Sequence, residues 1–100
     1  KGEAFPYLSL EAEQTHRTLS FKSGSTPVGR NELGGSSHVS DPIHAVFQRY
    51  GPETYVRSRG SNGTFRLGGD GDWLRLPDDR AILVQAGDHL RLGDVVCRLF

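Results

Sequence analysis

Two short segments of the sequence combine side chains that can hold an anion. The first begins with Gly29-Arg30, and the second reads Gly60-Ser61-Asn62-Gly63-Thr64. An arginine guanidinium binds phosphate oxygens through paired hydrogen bonds, and a serine hydroxyl with exposed backbone N–H groups can complete the cradle. The amide of Asn62 offers a donor and an acceptor, as is needed to hold the backbone of an extended peptide. Together the two segments predict capture of a phosphorylated peptide.

Metal and catalytic chemistry have little support in the sequence. The four histidines are scattered, without the paired spacing typical of a metal site. The range 69–72 resembles a calcium loop but lacks the further acidic ligands and the closing glutamate of an EF-hand. The range 36–41 contains the residue types of a hydrolytic triad, but neighbours in one loop seldom reach the geometry that a triad requires. We therefore predict no metal, no cofactor and no enzymatic activity.

The composition indicates one soluble domain without a strong net charge. Twelve basic residues balance twelve acidic ones, so no overall attraction to nucleic acid or to an anionic membrane is expected. The longest apolar run, 81–84, is far shorter than a membrane span. The single Cys97 excludes an internal disulfide and fits a reducing, cytoplasmic compartment. Because the chain starts at Lys1 and has no methionine, we expect residues 1–100 to be one domain excised from a larger multidomain protein.

Strand patterns separated by turns run along almost the whole chain. Apolar and polar residues alternate in segments such as Leu8-Ser9-Leu10 and His89-Leu90-Arg91-Leu92, and no segment carries helical spacing. Turn residues recur at roughly the 8–12-residue spacing of a sandwich or barrel. Tyr50-Gly51-Pro52-Glu53 and Gly93-Asp94 predict hairpins. We therefore predict an all-β fold, with a two-sheet antiparallel β-sandwich as the favoured architecture.

A sandwich explains how the two anion-binding segments can act together. Its connections gather at its two ends, and binding residues lie on loops that the rigid sheets carry. We expect the connection after Val28-Gly29-Arg30 and the connection containing Ser61 and Asn62 to meet at the same end. The stretch from Arg49 to Arg66 holds four arginines against one acid, so it is also a candidate anion-binding region.

Four motifs resemble, in order and approximate spacing, those of the forkhead-associated (FHA) domain family. The resemblance covers nearly the whole chain. It implies a β-sandwich that binds phosphothreonine in a partner protein after a Ser/Thr kinase has modified it, a mode of recognition that uses arginine-bearing sites. The motifs are Val28-Gly29-Arg30, His44-Ala45, Gly60-Ser61-Asn62-Gly63-Thr64 and Ala86-Gly87-Asp88-His89-Leu90-Arg91-Leu92-Gly93.

The resemblance also implies a role for each matching residue. Arg30 would contact the phosphate, Ser61 would help to bind the phosphothreonine, and Asn62 would hold the main chain of the partner. The remaining matches would shape the loops; they are Gly29, His44, Gly63 and Thr64.

One position departs from the pattern of the family. FHA domains usually carry a serine three residues before the histidine and a basic or amide residue after that serine. Here Asp41 and Pro42 stand at those positions, and Ser40 lies one residue earlier, so Ser40 serves only if the loop shifts its register. Otherwise Ser36 or Ser37 supplies the hydroxyl, or it is absent. Because Asp41 would repel a phosphate, the alternative is a module with this fold that binds its partner without phosphate.

Several of these residues also have plain structural interpretations. Arg30 can form a surface ion pair with Glu32, and Asn62-Gly63 is a typical centre for a type I′ turn. His44 lies between apolar neighbours and is expected to be structural rather than catalytic. Cys97 alternates with apolar residues and is expected to be buried and inert.

Overall fold

The computed structural model describes residues 8–22 and 24–100, and this part of the chain contains ten β-strands. Within these ranges there is no helix, and hence none long and apolar enough to cross a membrane. The strands are β1 (Leu8–Ala12), β2 (Thr18–Phe21), β3 (Gly24–Val28), β4 (Ala45–Tyr50), β5 (Glu53–Ser58), β6 (Thr64–Leu67), β7 (Trp73–Arg75), β8 (Ala81–Val84), β9 (His89–Leu92) and β10 (Val95–Leu99).

The strands form two sheets that pack face to face. One sheet has the order β2-β1-β10-β9-β6-β7 and the other the order β3-β4-β5-β8. All paired strands are antiparallel. The prediction of a two-sheet antiparallel β-sandwich is therefore confirmed.

The core lies between the sheets and is built from alternate residues of each strand. In β10, for example, Val95, Cys97 and Leu99 are buried, and the residues between them are more exposed. Phe21 and Phe47 come from different sheets and stack with ring centroids 4.2 Å apart. Burying each such ring contributes about 1.5–3 kcal/mol, so this pair helps to hold the sheets together.

Both predicted hairpins are confirmed. Tyr50 pairs with Glu53 across the β4–β5 turn, and Leu92 pairs with Val95 across the β9–β10 turn. Each turn begins with a glycine of positive φ, 59° at Gly51 and 61° at Gly93. Glycine adopts such angles without the steric cost that a Cβ atom would add.

The connection 59–63 differs from the predicted turn. It crosses from β5 in the four-stranded sheet to β6 in the six-stranded sheet, so it is not a hairpin. The N–H of Gly63 donates to the carbonyl of Gly60 (3.0 Å), which puts Ser61 and Asn62 at the centre of the turn. A type I′ turn needs positive φ at both central residues, and neither of these has it. The type I′ interpretation is therefore wrong.

The connections divide the sandwich into two unlike ends. Because neighbouring strands are antiparallel, every second connection lies at the same end. We call one end the loop end, formed by 13–17, 29–44, 59–63, 76–80 and 93–94. The other is the turn end, which includes the short connections 51–52, 68–72 and 85–88.

Candidate functional site

The longest connection, 29–44, is pinned where it leaves and rejoins the sheet. The N–H of His44 donates to the carbonyl of Val28 at 2.8 Å, which closes the loop. Gly29 lies so close to the carbonyl of Pro42 that a Cβ atom would overlap it. Only glycine therefore fits at position 29, directly before the arginine that the sequence singled out.

Arg30 lies half-buried against the far side of its own loop. Its backbone N–H donates to the carbonyl of Ser40 (3.1 Å), and its Nε donates to the carbonyl of Val39 (3.0 Å). The Glu32 carboxylate instead accepts the N–H of Gly29 (2.7 Å), so the suggested Arg30–Glu32 ion pair is wrong. In residues 8–22 and 24–100, no carboxylate lies within 4.0 Å of the Arg30 guanidinium. Arg30 thus has no direct ion-pair partner among the described residues.

Ser40 is the loop serine that lies beside Arg30. Its carbonyl accepts the Arg30 N–H, and its own N–H donates to Nδ1 of His44 at 3.0 Å. The hydroxyl of Ser36 is already used, since it donates to the Asp94 carboxylate at 2.6 Å. The hydroxyl of Ser40 has no hydrogen bond in the described ranges and stays available to a ligand.

Asp41 follows Ser40 on the exposed surface of the loop. Its carboxylate forms neither a hydrogen bond nor an ion pair with any described residue, Arg30 included. Asp41 therefore does not neutralise the arginine, although its charge lies in the same loop.

His44 joins two connections through its buried ring. Because Nδ1 accepts the N–H of Ser40, the proton of the neutral ring is on Nε2, which donates to the carbonyl of Gly63 at 2.8 Å. Gly60 packs directly on the ring, where any Cβ atom would overlap it. The ring therefore fixes connection 59–63 against connection 29–44.

Arg30 and Asn62 reach the same short piece of backbone from different connections. Nδ2 of Asn62 donates to the carbonyl of His38 (3.0 Å), whereas Arg30 uses the carbonyl of Val39. The Cα atoms of two consecutive residues are only about 3.8 Å apart. Ser61 lies beside Asn62 and is exposed. The tips of the two predicted segments thus meet at the loop end.

The hairpin turn at 93–94 contacts both connections, 29–44 and 59–63. The N–H of Gly93 donates to the carbonyl of Gly63 (2.9 Å), and Gly63 has a φ of +82°. A Cβ atom on Gly93 would overlap the carbonyl oxygen of His38. Thr64 is fully buried at the start of β6, and its carbonyl accepts the N–H of Leu76 (2.8 Å).

A second group of charged residues at the loop end was not assigned a role by the sequence motifs. Nη2 of Arg75 lies 3.4 Å from the carbonyl of Ser61 and 3.7 Å from the Asp78 carboxylate. Nε of Arg59 lies 3.5 Å from the carboxylate of Asp79. Arg59 falls in the basic stretch noted in the sequence. Arg75 comes from β7, and only the pairing of β7 with β6 brings it here.

The arrangement suits binding rather than bond breaking. It offers a guanidinium, two hydroxyls and a carboxamide around one strip of backbone. In the described ranges, no three His, Cys, Asp or Glu side chains are grouped to hold a metal ion. The Ser36 hydroxyl donates to a carboxylate and not to a histidine, so the triad-like residues of the loop do not form a nucleophile and base pair.

Comparison with known proteins gives a match in structure alone. No family model matches the chain, and no curated protein matches its sequence. The FHA domain of human APLF, solved in complex with an XRCC1 bisphospho peptide, has a TM-score of 0.80 and 20% identity, over 95% of this chain and 98% of that one. The MEK1 FHA domain, in complex with a HOP1 phosphothreonine peptide, has a TM-score of 0.73 and 23% identity, over 93% and 94% of the two chains. A third, from a study of phosphothreonine-dependent FHA domain interactions, has a TM-score of 0.77 and 19% identity, over 94% and 95%.

Proposed function

We propose that this chain, which has the fold of the forkhead-associated domains, binds a phosphothreonine-containing segment of a partner protein at its loop end. One observation carries the proposal. Arg30 and Asn62 converge on the consecutive carbonyls of Val39 and His38, and no described carboxylate pairs with the guanidinium. The match to FHA domains solved with phosphopeptides supports it. The biological role is to recruit partners that a Ser/Thr kinase has modified.

The proposed contacts follow from the donors at this end. A phosphate of about −1.5 to −2 charges would meet the terminal nitrogens of Arg30 and the hydroxyls of Ser40 and Ser61. Asn62 would exchange the carbonyl of His38 for the main chain of the ligand. Each charge-assisted hydrogen bond contributes about 1.5–3 kcal/mol. A few such bonds suffice for micromolar affinity, about −8 kcal/mol.

Asp41 opposes phosphate binding, and it is the residue that favours the alternative function, a module that binds its partner without phosphate. Its carboxylate belongs to the same loop and repels a phosphate placed beside Ser40. A module that binds its partner without phosphate would tolerate Asp41, but it would make no use of the Arg30 charge, which has no described carboxylate partner. We therefore retain phosphate recognition as the proposal.

The proposed role involves no covalent chemistry and no thiol. Burial raises the pKa of the Cys97 thiol to about 12, with a smaller contribution from Glu13. The thiol thus stays protonated and unreactive near neutral pH. We propose the reducing cytoplasm as the setting.

Peptide titration tests the function directly. A phosphothreonine peptide selected from an oriented library is compared by calorimetry with its threonine and phosphoserine counterparts. We expect micromolar affinity for the phosphothreonine peptide and no measurable binding of the threonine peptide. The phosphoserine peptide should bind about fourfold more weakly, because burying one methyl group contributes about 0.8 kcal/mol. Equal binding with and without phosphate would establish the phosphate-independent module instead.

A further inference from the structure

We infer that Asn62 is a site of spontaneous deamidation, and that the contacts of the loop end control how fast its side chain becomes an acid. Asn62 is followed by Gly63, which has no Cβ atom to hinder the approach of its backbone nitrogen to the preceding side chain. The other asparagine, Asn31, precedes the larger Glu32. The modification does not depend on the proposed function, whereas its effect on ligand binding rests on it.

The reaction joins neighbouring atoms of the turn and needs only water. After a base in the solvent removes the proton of the Gly63 amide, its nitrogen attacks Cγ of Asn62. The new carbon–nitrogen bond closes a cyclic succinimide. The bond from Cγ to Nδ2 breaks, and the side-chain nitrogen takes a proton from water and leaves as ammonia. Water then opens the ring at either carbonyl and gives aspartate or isoaspartate.

The fold holds both reacting groups in hydrogen bonds. The N–H of Gly63 donates to the carbonyl of Gly60 at 3.0 Å. Nδ2 of Asn62 donates to the carbonyl of His38, also at 3.0 Å. Attack requires the peptide nitrogen and the carboxamide to turn towards each other, so both hydrogen bonds must first break. Because Asn62 is exposed, water and base reach it as soon as they do.

Two further contacts hold the peptide on the other side of the Gly63 residue. The carbonyl of Gly63 accepts Nε2 of His44 at 2.8 Å and the N–H of Gly93 at 2.9 Å. These donors belong to different connections of the loop end. The rate of deamidation is therefore set by a local opening that several connections of the loop end oppose together.

The labile pair is a consequence of how the candidate site is built. Gly63 has a φ of +82°, and a Cβ atom there would lie 3.0 Å from Cζ of Arg75. Position 63 therefore favours glycine. The carboxamide of Asn62 is the group that bonds to the carbonyl of His38 and that we propose for the main chain of the ligand. The reactive sequence thus cannot be replaced without changing the site.

Deamidation removes a donor from the site and adds a negative charge. A carboxylate at position 62 cannot donate to the carbonyl of His38 or to a carbonyl of the ligand. It also repels the phosphate of the ligand, which lies nearby in the proposed complex. The reaction therefore converts a domain that binds phosphopeptide into one that does not. A bound peptide that holds the carboxamide should slow the reaction.

Mass spectrometry of the digested protein tests the modification. Wild-type protein is incubated at mildly alkaline pH, either folded or in urea, and the peptides that contain Asn62 and Asn31 are followed for conversion of amide to acid. We expect Asn62 to convert about 25-fold more slowly in the folded protein than in urea, because at least two hydrogen bonds must break. In urea, Asn31 should convert far more slowly than Asn62. Equal rates for Asn62 in both states, or no conversion in the folded protein, would overturn the inference.

Two glycine variants test whether the loop end controls the rate. Gly93 and Gly87 both have positive φ, 61° and 97°, but only Gly93 bonds to the turn at Gly63. Gly93→Ala should speed conversion of Asn62 in the folded protein about fivefold, the effect of one hydrogen bond on an opening equilibrium. Gly87→Ala should leave the rate unchanged. Equal acceleration by both variants would contradict control by the loop end. Thermal unfolding checks that each variant is folded, and the wild-type comparison decides alone if Gly93→Ala is not.

Binding measurements separate this inference from the proposed function. Asn62→Asp should bind a phosphothreonine peptide at least about tenfold more weakly than the wild type, and a saturating peptide should slow conversion of Asn62 at least about fivefold. Unchanged affinity in Asn62→Asp, or a rate unaffected by the peptide, would overturn the link to recruitment and leave the proposed function intact. Failure of every phosphothreonine peptide to bind would overturn the proposed function and that link, while the mass-spectrometric rates would still decide the modification.

Discussion

The two ends of the sandwich are stabilised by different kinds of contact. At the loop end, Asn62 donates to the carbonyl of His38, 24 residues away, and the His44 ring joins connections 29–44 and 59–63. In the turn 85–88, the Asp88 carboxylate accepts the N–H of Gln85, three residues away. The turn end also has a longer contact, because Nη1 of Arg49 donates to the carbonyl of Phe21, 28 residues away. A change in connection 59–63 is therefore transmitted to connection 29–44, whereas loss of the Asp88 side chain removes a contact within one turn.

The ends do not differ in the sign of their net charge, but they differ in where a cation is left without a partner. The turn-end connections 68–72 and 85–88 contain three aspartates and no cation. The loop-end connections carry six acids and four arginines, so the loop end has no net positive charge. Within it, however, Arg30 has no described carboxylate partner, and this local positive charge suits an anionic ligand.

The largest expected effect is on ligand binding at the loop end. Arg30→Ala removes about two charge-assisted hydrogen bonds to phosphate, so we expect phosphothreonine-peptide affinity to fall at least about 100-fold. Calorimetry with the folded variant measures this, and Arg98→Ala serves as the control away from the loop end. An unchanged dissociation constant would remove Arg30 from the site.

The next largest effect, on the free energy of unfolding, should distinguish hydrogen bonds between connections from hydrogen bonds within one turn. His44→Ala leaves the Ser40 N–H and the Gly63 carbonyl without their partner and opens a cavity, so we expect a loss of about 3 kcal/mol in the free energy of unfolding. Asp88→Ala removes one local hydrogen bond and should lose only about 1 kcal/mol. Urea denaturation compares the two. Similar losses would show that the loop end is no more interdependent than the turn end.

Two glycines of positive φ provide a matched pair for the same comparison. Gly87→Ala, at the turn end, meets no atom within 4 Å and should lose only the conformational term of about 1 kcal/mol. Gly93→Ala adds an overlap with the His38 carbonyl and should lose about 2 kcal/mol or more. Denaturation midpoints test the difference. In addition, only Gly93→Ala should weaken phosphopeptide binding, because His38 is the acceptor of Asn62.

The smallest expected effect concerns the residue that departs from the FHA pattern. Asp41→Ser removes a negative charge from the phosphate-binding loop, so we expect phosphopeptide affinity to rise about threefold. The gain should shrink as salt is added, because Asp41 is exposed. Calorimetry at two salt concentrations measures it. Weaker binding by the variant would instead show that Asp41 contacts a basic group of the peptide.

Local patterns were sufficient to predict most of the fold. The strand alternation, the hairpins at Gly51 and Gly93 and the two-sheet architecture all follow from residues close together in sequence, since side-chain period and turn chemistry act over a few residues. The backbone contacts of His44 do not follow from such local patterns. His44 directly precedes β4, and its carbonyl accepts the N–H groups of Arg59 and Gly60 from a distant connection.

The candidate site was predicted in its residue types but not in its contacts. Arg30, Ser61 and Asn62 were identifiable because guanidinium, hydroxyl and amide groups suit a phosphopeptide. The choice of Ser40 over Ser36, the backbone shared by Arg30 and Asn62, and the position of Arg75 depend on sheet order and strand register. The alternation of apolar and polar residues along a strand specifies which face of the sheet a side chain occupies. It does not specify which distant strand or loop that side chain contacts.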